Sequence, residues 1–259
     1  MNLLEELKSG GLRGVWLGND GWLISDGARV VGMDLDLRNP ERLEQPAITP
    51  EELAGGLDLH LITHEHEDHF NAATCRALLE YGNTLFVIPE SCESKANELG
   101  FPSNRRRIVH PGRQIEELGV ELETVRAVHG HIGGAVYSGA SMLDCGYRFR
   151  LGGKWFYQPG DTLLLEEHQQ MAPADVLFVS PTEHNTWIEG SYFLIQQLNP
   201  GWIFPQHHST YAETPENRFW THGYVEELRR LLPQNRQERF YLPEQGQVFR
   251  LDQMGLHGE

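Results

Sequence analysis

The first third of the chain alternates short apolar runs with turn signals. The apolar runs cover residues 12–17, 22–25 and 30–33, and the two gaps between them carry Asn-Asp-Gly and Asp-Gly. Short apolar runs separated by these residues are typical of antiparallel strands joined by tight turns. We therefore predict a meander of strands, followed by a loop over residues 38–50 that is rich in proline and charge.

Strand and helix patterns alternate along the rest of the chain. The strand patterns cover residues 57–63, 85–88, 105–110, 120–128, 147–151, 155–158, 176–179, 202–204, 240–242 and 247–251. The helical patterns cover residues 71–81, 90–99, 191–198 and 216–232. Strands mixed with helices in both halves predict a layered α/β architecture. Because no polar stretch is long enough to separate two domains, we predict one domain over residues 1–259.

Residues 130–146 fit neither pattern. They are rich in glycine, alanine and serine and show no clear periodicity. This composition suits a loop beside a binding site, and a surface loop without a role is the alternative.

Composition and charge narrow the class of protein. A hydrophobic fraction of 39% is ordinary for a globular chain, so disorder is not expected. The formal net charge of -16 repels phosphate backbones and argues against a nucleic-acid partner. The 3 cysteines form no CxxC pair, which favours a reducing compartment. No apolar run approaches the roughly 20 residues that span a bilayer. We expect a cytoplasmic protein, without a membrane partner, that acts on a small molecule.

A cluster of histidines and acids carries the strongest chemical signal. Residues 63–69 read Thr-His-Glu-His-Glu-Asp-His and lie where an apolar strand pattern ends and a helical pattern begins. Three imidazoles and a carboxylate so close together suit a divalent transition metal. Alternating His64 and His66 can face one metal, while Asp68 and His69 face a second.

Four ligands in one loop cannot complete two coordination spheres, so distant residues must contribute. His129, Asp161 and His207 each follow an apolar strand pattern, and a carboxylate at position 161 can bridge two metals. Two choices stay open, because His131 and His208 lie beside the favoured His129 and His207.

The order HxHxDH, a single His, an Asp in Gly-Asp-Thr and a final His resembles the metallo-β-lactamase superfamily. The resemblance extends from about residue 14 to about residue 211. Within the superfamily the chain is most similar to the branch that contains L-ascorbate-6-phosphate lactonase. Supporting features are Gly-Tyr-Arg-Phe at 146–149, Gly-Asp-Thr at 160–162 and Pro-Gln-His at 205–207.

The resemblance implies a fold and a set of metal ligands. The implied fold is an α/β four-layer αβ/βα sandwich. The implied ligands are His64, His66 and His129 for the first metal, Asp68, His69 and His207 for the second, and Asp161 as the bridge. Asp34 would orient a ligand imidazole from behind. The implied cofactor is one or two divalent transition metals, with zinc as the default and manganese or iron as rivals.

The resemblance also implies a reaction. A metal-bound hydroxide would attack the carbonyl of a lactone of the sugar-acid type, and a small phosphodiester is the alternative substrate. Asp68 would orient the hydroxide or take its proton. His131 or His184 would donate to the developing oxyanion or leaving group. Basic residues for a substrate phosphate are not obvious, the candidates being residues 105–107, Arg126 and Arg148.

Several properties stay open at this point. Two other classes of function are possible. One is redox chemistry at an iron-loaded site, and the other is metal binding without catalysis. The identity of the substrate, the identity and number of the metals, and assembly into a homo-oligomer are not readable from the sequence.

Overall fold

The computed structural model describes residues 2–131, 135–138 and 140–251. The chain divides into two compact units. Unit 1 comprises the described residues of Met1–Pro40, Glu44–Val109 and Pro243–Glu259, and unit 2 those of Glu41–Leu43 and His110–Leu242. The prediction of a single domain over residues 1–259 stays a prediction, and each unit is a mixed α/β structure in its own right.

Most strands of the described residues follow the apolar runs of the sequence. In chain order they are β1 (Arg13–Trp16), β2 (Trp22–Ser25), β3 (Val30–Met33), β4 (Leu59–Leu61), β5 (Leu85–Pro89), β6 (Arg106–Val109), β7 (Gln114–Glu117), β8 (Val120–Ala127), β9 (Gly130–His131), β10 (Ala135–Val136), β11 (Asp144–Leu151), β12 (Lys154–Gln158), β13 (Val176–Val179), β14 (Trp202–Pro205) and β15 (Val248–Arg250). The exceptions are β7, β9 and β10. β2, β3, β13 and β14 are buried along their whole length, which is why they read as continuous apolar runs rather than alternating ones.

The helices of the described residues are mostly short. They are α1 (Leu3–Leu7), α2 (Pro50–Ala54), α3 (Ala72–Tyr81), α4 (Glu93–Glu98), α5 (Glu166–Gln169), α6 (Trp187–Leu198), α7 (Arg218–Thr221), α8 (Val225–Leu231) and α9 (Gln234–Gln237), with 3₁₀ turns at Glu90–Cys92 and Ser103–Arg105. The Asn71 side chain accepts a hydrogen bond from Thr74 N, which fixes the start of α3. Within the described part of the chain, no helix has both the length and the hydrophobicity needed to cross a membrane.

Unit 1 contains a mixed sheet in the order β15-β1-β2-β3-β4-β5-β6. The pairs from β15 to β3 are antiparallel, and those from β3 to β6 are parallel. Because β3 and β4 are parallel, with Met33 paired with Leu61, their carboxyl ends meet at the same edge of the sheet. This register places Asp34 beside the loop that carries residues 63–69, and Asp34 N donates to Leu61 O at 3.0 Å.

Unit 2 contains a second mixed sheet in the order β14-β13-β12-β11-β8-β7. β12, β13 and β14 are parallel, with Val179 paired with Pro205. Polar residues follow each of these three strands at the same sheet edge, and Asp161 and His207 are among them. The small hairpin of β9 and β10 lies next to His129, because Tyr137 N donates to His129 O at 3.2 Å.

Two predicted elements are wrong in detail. The helix predicted over 216–232 is broken into α7 and α8, because Gly223 and Tyr224 have left-handed backbone with φ of 72° and 44°. A side chain at Gly223 would also collide with His208 Cβ at 2.4 Å, so the backbone approaches His208 closely there. The strand predicted over 240–242 is reduced to one bridge between Phe240 and Ile203. The pattern did not predict the short helices α1, α2, α5 and α9.

The segment 130–146 was predicted to be a loop beside a site. Its described part contains the hairpin of β9 and β10 and the start of β11 at Asp144. Residues 132–134 and 139 lie outside the described residues.

Candidate metal centre

One buried carboxylate organises the histidine loop of unit 1. Asp34 is fully buried, and its Oδ1 accepts from Thr63 N at 2.9 Å. Its Oδ2 accepts from Thr63 Oγ1 at 2.8 Å and lies 3.0 Å from His69 Nδ1. Burial raises the pKa of Asp34, and the neighbouring His69 and Thr63 oppose that rise. Asp34 is thus the acidic residue behind the cluster that the sequence singled out.

These contacts determine which ring nitrogens carry protons. A carboxylate only accepts hydrogen bonds, so His69 donates from Nδ1 and keeps its lone pair on Nε2. The single proton of the Thr63 hydroxyl goes to Asp34, so Oγ1 accepts from His64 Nδ1 at 3.0 Å. His64 therefore also presents an Nε2 lone pair. A transition metal requires the neutral form of both imidazoles, and in that form each has its lone pair on Nε2.

The other members of the loop lie beside these two rings. The ring centroids of His64 and His66 are 4.6 Å apart, and those of His64 and His69 are 4.1 Å apart. Asp68 Oδ2 lies 3.4 Å from His69 Nε2 and accepts from Asn19 Nδ2 at 3.1 Å. Unit 1 thus brings all four predicted ligands of the HxHxDH motif together.

Asp20 is a buried acid of unit 1 that the sequence analysis missed. Its Oδ2 lies 3.6 Å from His69 Nδ1, and its side chain is fully buried. The tripeptide Asn-Asp-Gly at 19–21 was interpreted only as a turn, and the turn is present, with Gly21 N bonded to Gly18 O. The sequence gave no sign that Asn19 and Asp20 of this turn lie beside residues 68 and 69 of the histidine loop.

Asp161 is the centre of the corresponding group in unit 2. Its Oδ2 lies 2.7 Å from His184 Nε2, 3.3 Å from His207 Nε2 and 3.4 Å from His129 Nε2. All four side chains are buried. Three imidazole nitrogens that converge on one carboxylate oxygen make a donor set of the kind that binds divalent transition metals.

His184 and Asn185 each contact one oxygen of the Asp161 carboxylate. Asn185 Nδ2 donates to Asp161 Oδ1 at 2.9 Å, while His184 contacts Oδ2. Burial lowers the pKa of His184, and the adjacent Asp161 opposes that effect. A carboxylate has about four lone-pair sites, so Asp161 can accept from more than one partner at a time. The sequence pointed to His184 as a candidate donor but gave no signal for Asn185.

The two open choices of ligand differ clearly in their surroundings. His129 is buried next to Asp161, whereas His131 is exposed and packs edge-on against the Tyr137 ring, with centroids 4.0 Å apart. His207 contacts Asp161, whereas His208 lies 3.3 Å from Pro205 O and 3.0 Å from Ser209 Oγ. Burial lowers the pKa of His208 to about 4. The geometry favours His129 and His207 as the ligands.

Further features support these assignments. Asp144 Oδ2 lies 4.0 Å from His129 Nδ1, in the position that a supporting carboxylate would take. Asp34 and His207 both have left-handed backbone, with φ of 42° and 60°. Such strained positions in non-glycine residues concentrate at functional sites.

The sequence matches a known family over most of its length. A profile described as a beta-lactamase superfamily domain matches residues 15–207. The chain belongs to the beta-lactamase superfamily. The expected metallo-β-lactamase fold is therefore confirmed, and the chain is a member of a superfamily of metal-dependent hydrolases. No curated protein matches it.

Solved structures with a similar fold match the chain at low sequence identity. Igni18, a metallo hydrolase from Ignicoccus hospitalis, is 18% identical with a TM-score of 0.68, and the match covers 92% of this chain and 97% of that one. An isothiocyanate hydrolase from Delia radicum gut bacteria is 15% identical with a TM-score of 0.69, covering 92% and 98%. CmlA, a diiron β-hydroxylase from Streptomyces venezuelae, is 13% identical with a TM-score of 0.71, covering 93% and 54%.

Proposed function

We propose that the chain is a hydrolase that opens the ring of a small lactone with the help of two divalent transition metals. The observation that carries this proposal is the convergence of His129, His184 and His207 on one oxygen of Asp161. Superfamily membership supplies the reaction type. The choice of a sugar-acid lactone comes from the resemblance to the lactonase branch.

The proposed ligands are those that the resemblance to the superfamily implies. Unit 1 supplies His64, His66, Asp68 and His69, and unit 2 supplies His129, Asp161 and His207. When bound, such ions supply Lewis acidity at a substrate oxygen and a nucleophile at neutral pH. Zinc suits this set of nitrogen and oxygen donors, and manganese and iron are the rivals.

The protein groups around the ligands have distinct tasks in this proposal. Asp68 is partly exposed and held by Asn19, so it is placed to orient the nucleophile and accept its proton. His131 is exposed, so it is the candidate donor to the leaving group. His184 contacts Asp161 through Nε2, which makes it a positioning residue and leaves His131 as the favoured donor of the two candidates.

The basic residues favour a lactone over a phosphodiester. Arg105 donates to the backbone carbonyls of Leu78 and Leu79 at 3.1 and 2.7 Å, and so ties the end of α3 to its neighbours. Arg126 pairs with Glu167 at 2.9 Å. Arg148 pairs with Glu123 at 2.7 Å and lies over the Trp155 ring. Because these arginines already have structural partners, they are poor candidates to bind a substrate phosphate.

A substrate panel tests the proposal. The protein is reconstituted with Zn or Mn and offered aldonolactones, bis-p-nitrophenyl phosphate and an isothiocyanate, the last because one similar fold acts on that class. We expect turnover of a lactone that chelation abolishes and metal restores. Turnover of the phosphodiester alone would favour the alternative substrate. Visible absorbance of an iron-loaded protein together with oxygen consumption would contradict hydrolysis.

A further inference from the structure

A tyrosine of unit 2 lies against one of the proposed metal ligands. Tyr137 follows β10, and its ring stacks on His129 with centroids 6.4 Å apart and an interplanar angle of 25°. Its edge contact with His131 adds a second imidazole neighbour, with centroids 4.0 Å apart. The hydrogen bond from Tyr137 N to His129 O fixes the backbone at the same place. The ring and the backbone of Tyr137 therefore both contact His129, the proposed metal ligand that follows β8.

The hydroxyl of this tyrosine has an unusual environment. The Tyr137 side chain is partly exposed, yet its Oη is buried and has no hydrogen-bond partner among the residues that the structure describes. A buried donor without a partner costs free energy, and such groups in a native protein call for a functional explanation. Burial and the negative charges of Asp161 and Glu183 raise the pKa of Tyr137 to about 12.

We propose that Tyr137 donates a hydrogen bond to the substrate oxygen that gains negative charge during hydrolysis. The proton stays on the phenol, so the residue stabilises charge and transfers nothing. A donor fixed in place before the reaction stabilises developing charge more strongly than water does. This role rests on the proposed function, because it requires a substrate oxygen beside His129. The sequence pattern gave no signal for it, since Tyr137 lies in the segment without periodicity.

The variant Tyr137→Phe removes only the hydroxyl. We expect kcat to fall by about 100-fold, the order seen when one donor to an oxyanion is removed, and KM to rise by a smaller factor. Metal content and Tm should stay at the wild-type values. The matched control is Tyr81→Phe, at an exposed tyrosine of α3 in unit 1, which should keep wild-type kcat.

Two comparisons make the test decisive. Turnover of an alkyl lactone and of a p-nitrophenyl ester is measured for the wild type and for Tyr137→Phe. Loss of a donor to the carbonyl oxygen should lower the turnover of both substrates, whereas loss of a donor to the leaving oxygen should lower mainly that of the alkyl lactone, which has the poorer leaving group. Binding of δ-valerolactam, a ring amide with a carbonyl oxygen, is measured by calorimetry. We expect weaker lactam binding by Tyr137→Phe and lower turnover of at least the alkyl lactone.

The result that would overturn the inference is wild-type kcat on every substrate that the protein hydrolyses. Loss of metal in parallel with activity would also overturn it, because Tyr137 would then act only by packing on His129. If the wild type hydrolyses a phosphodiester and no lactone, the proposed function fails. The role of Tyr137 is then judged separately, on that substrate and on lactam binding.

Discussion

Asp34 Oδ2 lies 3.0 Å from His69 Nδ1, and the same oxygen accepts from the Thr63 hydroxyl that orients His64. One buried carboxylate thereby fixes the tautomers of two proposed metal ligands. Each backbone or side-chain hydrogen-bond donor of this arrangement has its acceptor within unit 1. In their neutral forms, His64 and His69 therefore each have an Nε2 lone pair that can bind a metal.

The variant Asp34→Asn should weaken metal binding while preserving the fold. An amide has one accepting and one donating end, so it cannot accept from both Thr63 N and His69 Nδ1. Loss of a supporting partner of a metal-binding histidine typically costs about 10–100-fold in affinity. Titration against a chromophoric chelator measures this change. Asp58→Asn is the control, because Asp58 accepts from Val30 N and Arg29 instead; equal affinities for both variants would refute the role of Asp34.

Thr63 offers a finer test of the same network. Thr63→Val keeps the shape of the side chain but removes the hydroxyl between Asp34 and His64. We expect weaker metal binding and lower kcat/KM, by about 10-fold, at the low end of what loss of a supporting partner costs. Thr63→Ser keeps the hydroxyl and should retain most of both. If the Val variant binds metal as tightly as the Ser variant, His64 does not depend on this hydrogen bond.

Asn185 should control the orientation of the Asp161 carboxylate. Asn185→Ala removes the donor at Oδ1, and we expect kcat to fall by about 10-fold, consistent with the loss of a partner to a metal-binding carboxylate. Asn185→Asp should be worse, because it places a second carboxylate beside Asp161. Steady-state kinetics and metal analysis check both variants. Asn97→Ala, at a residue that bonds Arg106 in unit 1, is the control; an Asp variant as active as wild type would count against the model of a neutral donor.

Two buried histidines away from the ligands should destabilise the fold in acid. Burial lowers the pKa of His168 to about 4 and that of His60 to about 3. His168 accepts from Leu165 N at Nδ1, and its Nε2 lies 2.8 Å from Tyr157 Oη, so the folded state uses the neutral ring. Between the ordinary value of 6.5 and these values, the unfolded chain binds protons that the folded chain does not. The free energy of unfolding therefore falls as pH decreases through this window.

Urea unfolding of the metal-free protein between pH 7 and pH 4 measures that fall. His168→Asn lacks the titrating ring, so it should lose less stability across this window than the wild type. The difference should be about 3 kcal/mol, since one pKa unit corresponds to about 1.4 kcal/mol. The variant itself will be less stable at pH 7, so the slope with pH is the quantity compared. An unchanged slope would show that His168 does not titrate in this way.

Much of the fold and of the candidate site was predictable because the signals are local. The buried strands β3, β13 and β14 contain no polar side chain, and the HxHxDH motif begins shortly after the end of β4. His129, Asp161 and His207 could be named because each follows a strand pattern. The resemblance to the superfamily supplied the order in which these residues belong together.

The residues that sequence reasoning missed depend on contacts that are distant along the chain. Asp20 approaches His69 from a turn 49 residues away, the same separation as that between Asn19 and Asp68. Asn185 reaches Asp161 across 24 residues. The break between α7 and α8 follows from a close backbone approach at Gly223 to His208, which no helical periodicity reveals. These partners are fixed by tertiary packing, so local patterns did not show them.

The central claim is that Asp161 and the histidines around it bind metal. The most direct measurement is elemental analysis of the purified wild type beside Asp161→Ala and Asp175→Asn, the latter at an acid that bonds Trp155 N and Lys154 instead. We predict about two transition-metal ions per chain in the wild type and the Asp175 variant, as in a two-metal site, and a loss of most metal in Asp161→Ala with the fold preserved. Full metal content in Asp161→Ala, or a wild type that stays metal-free after incubation with Zn and Mn, would contradict the account.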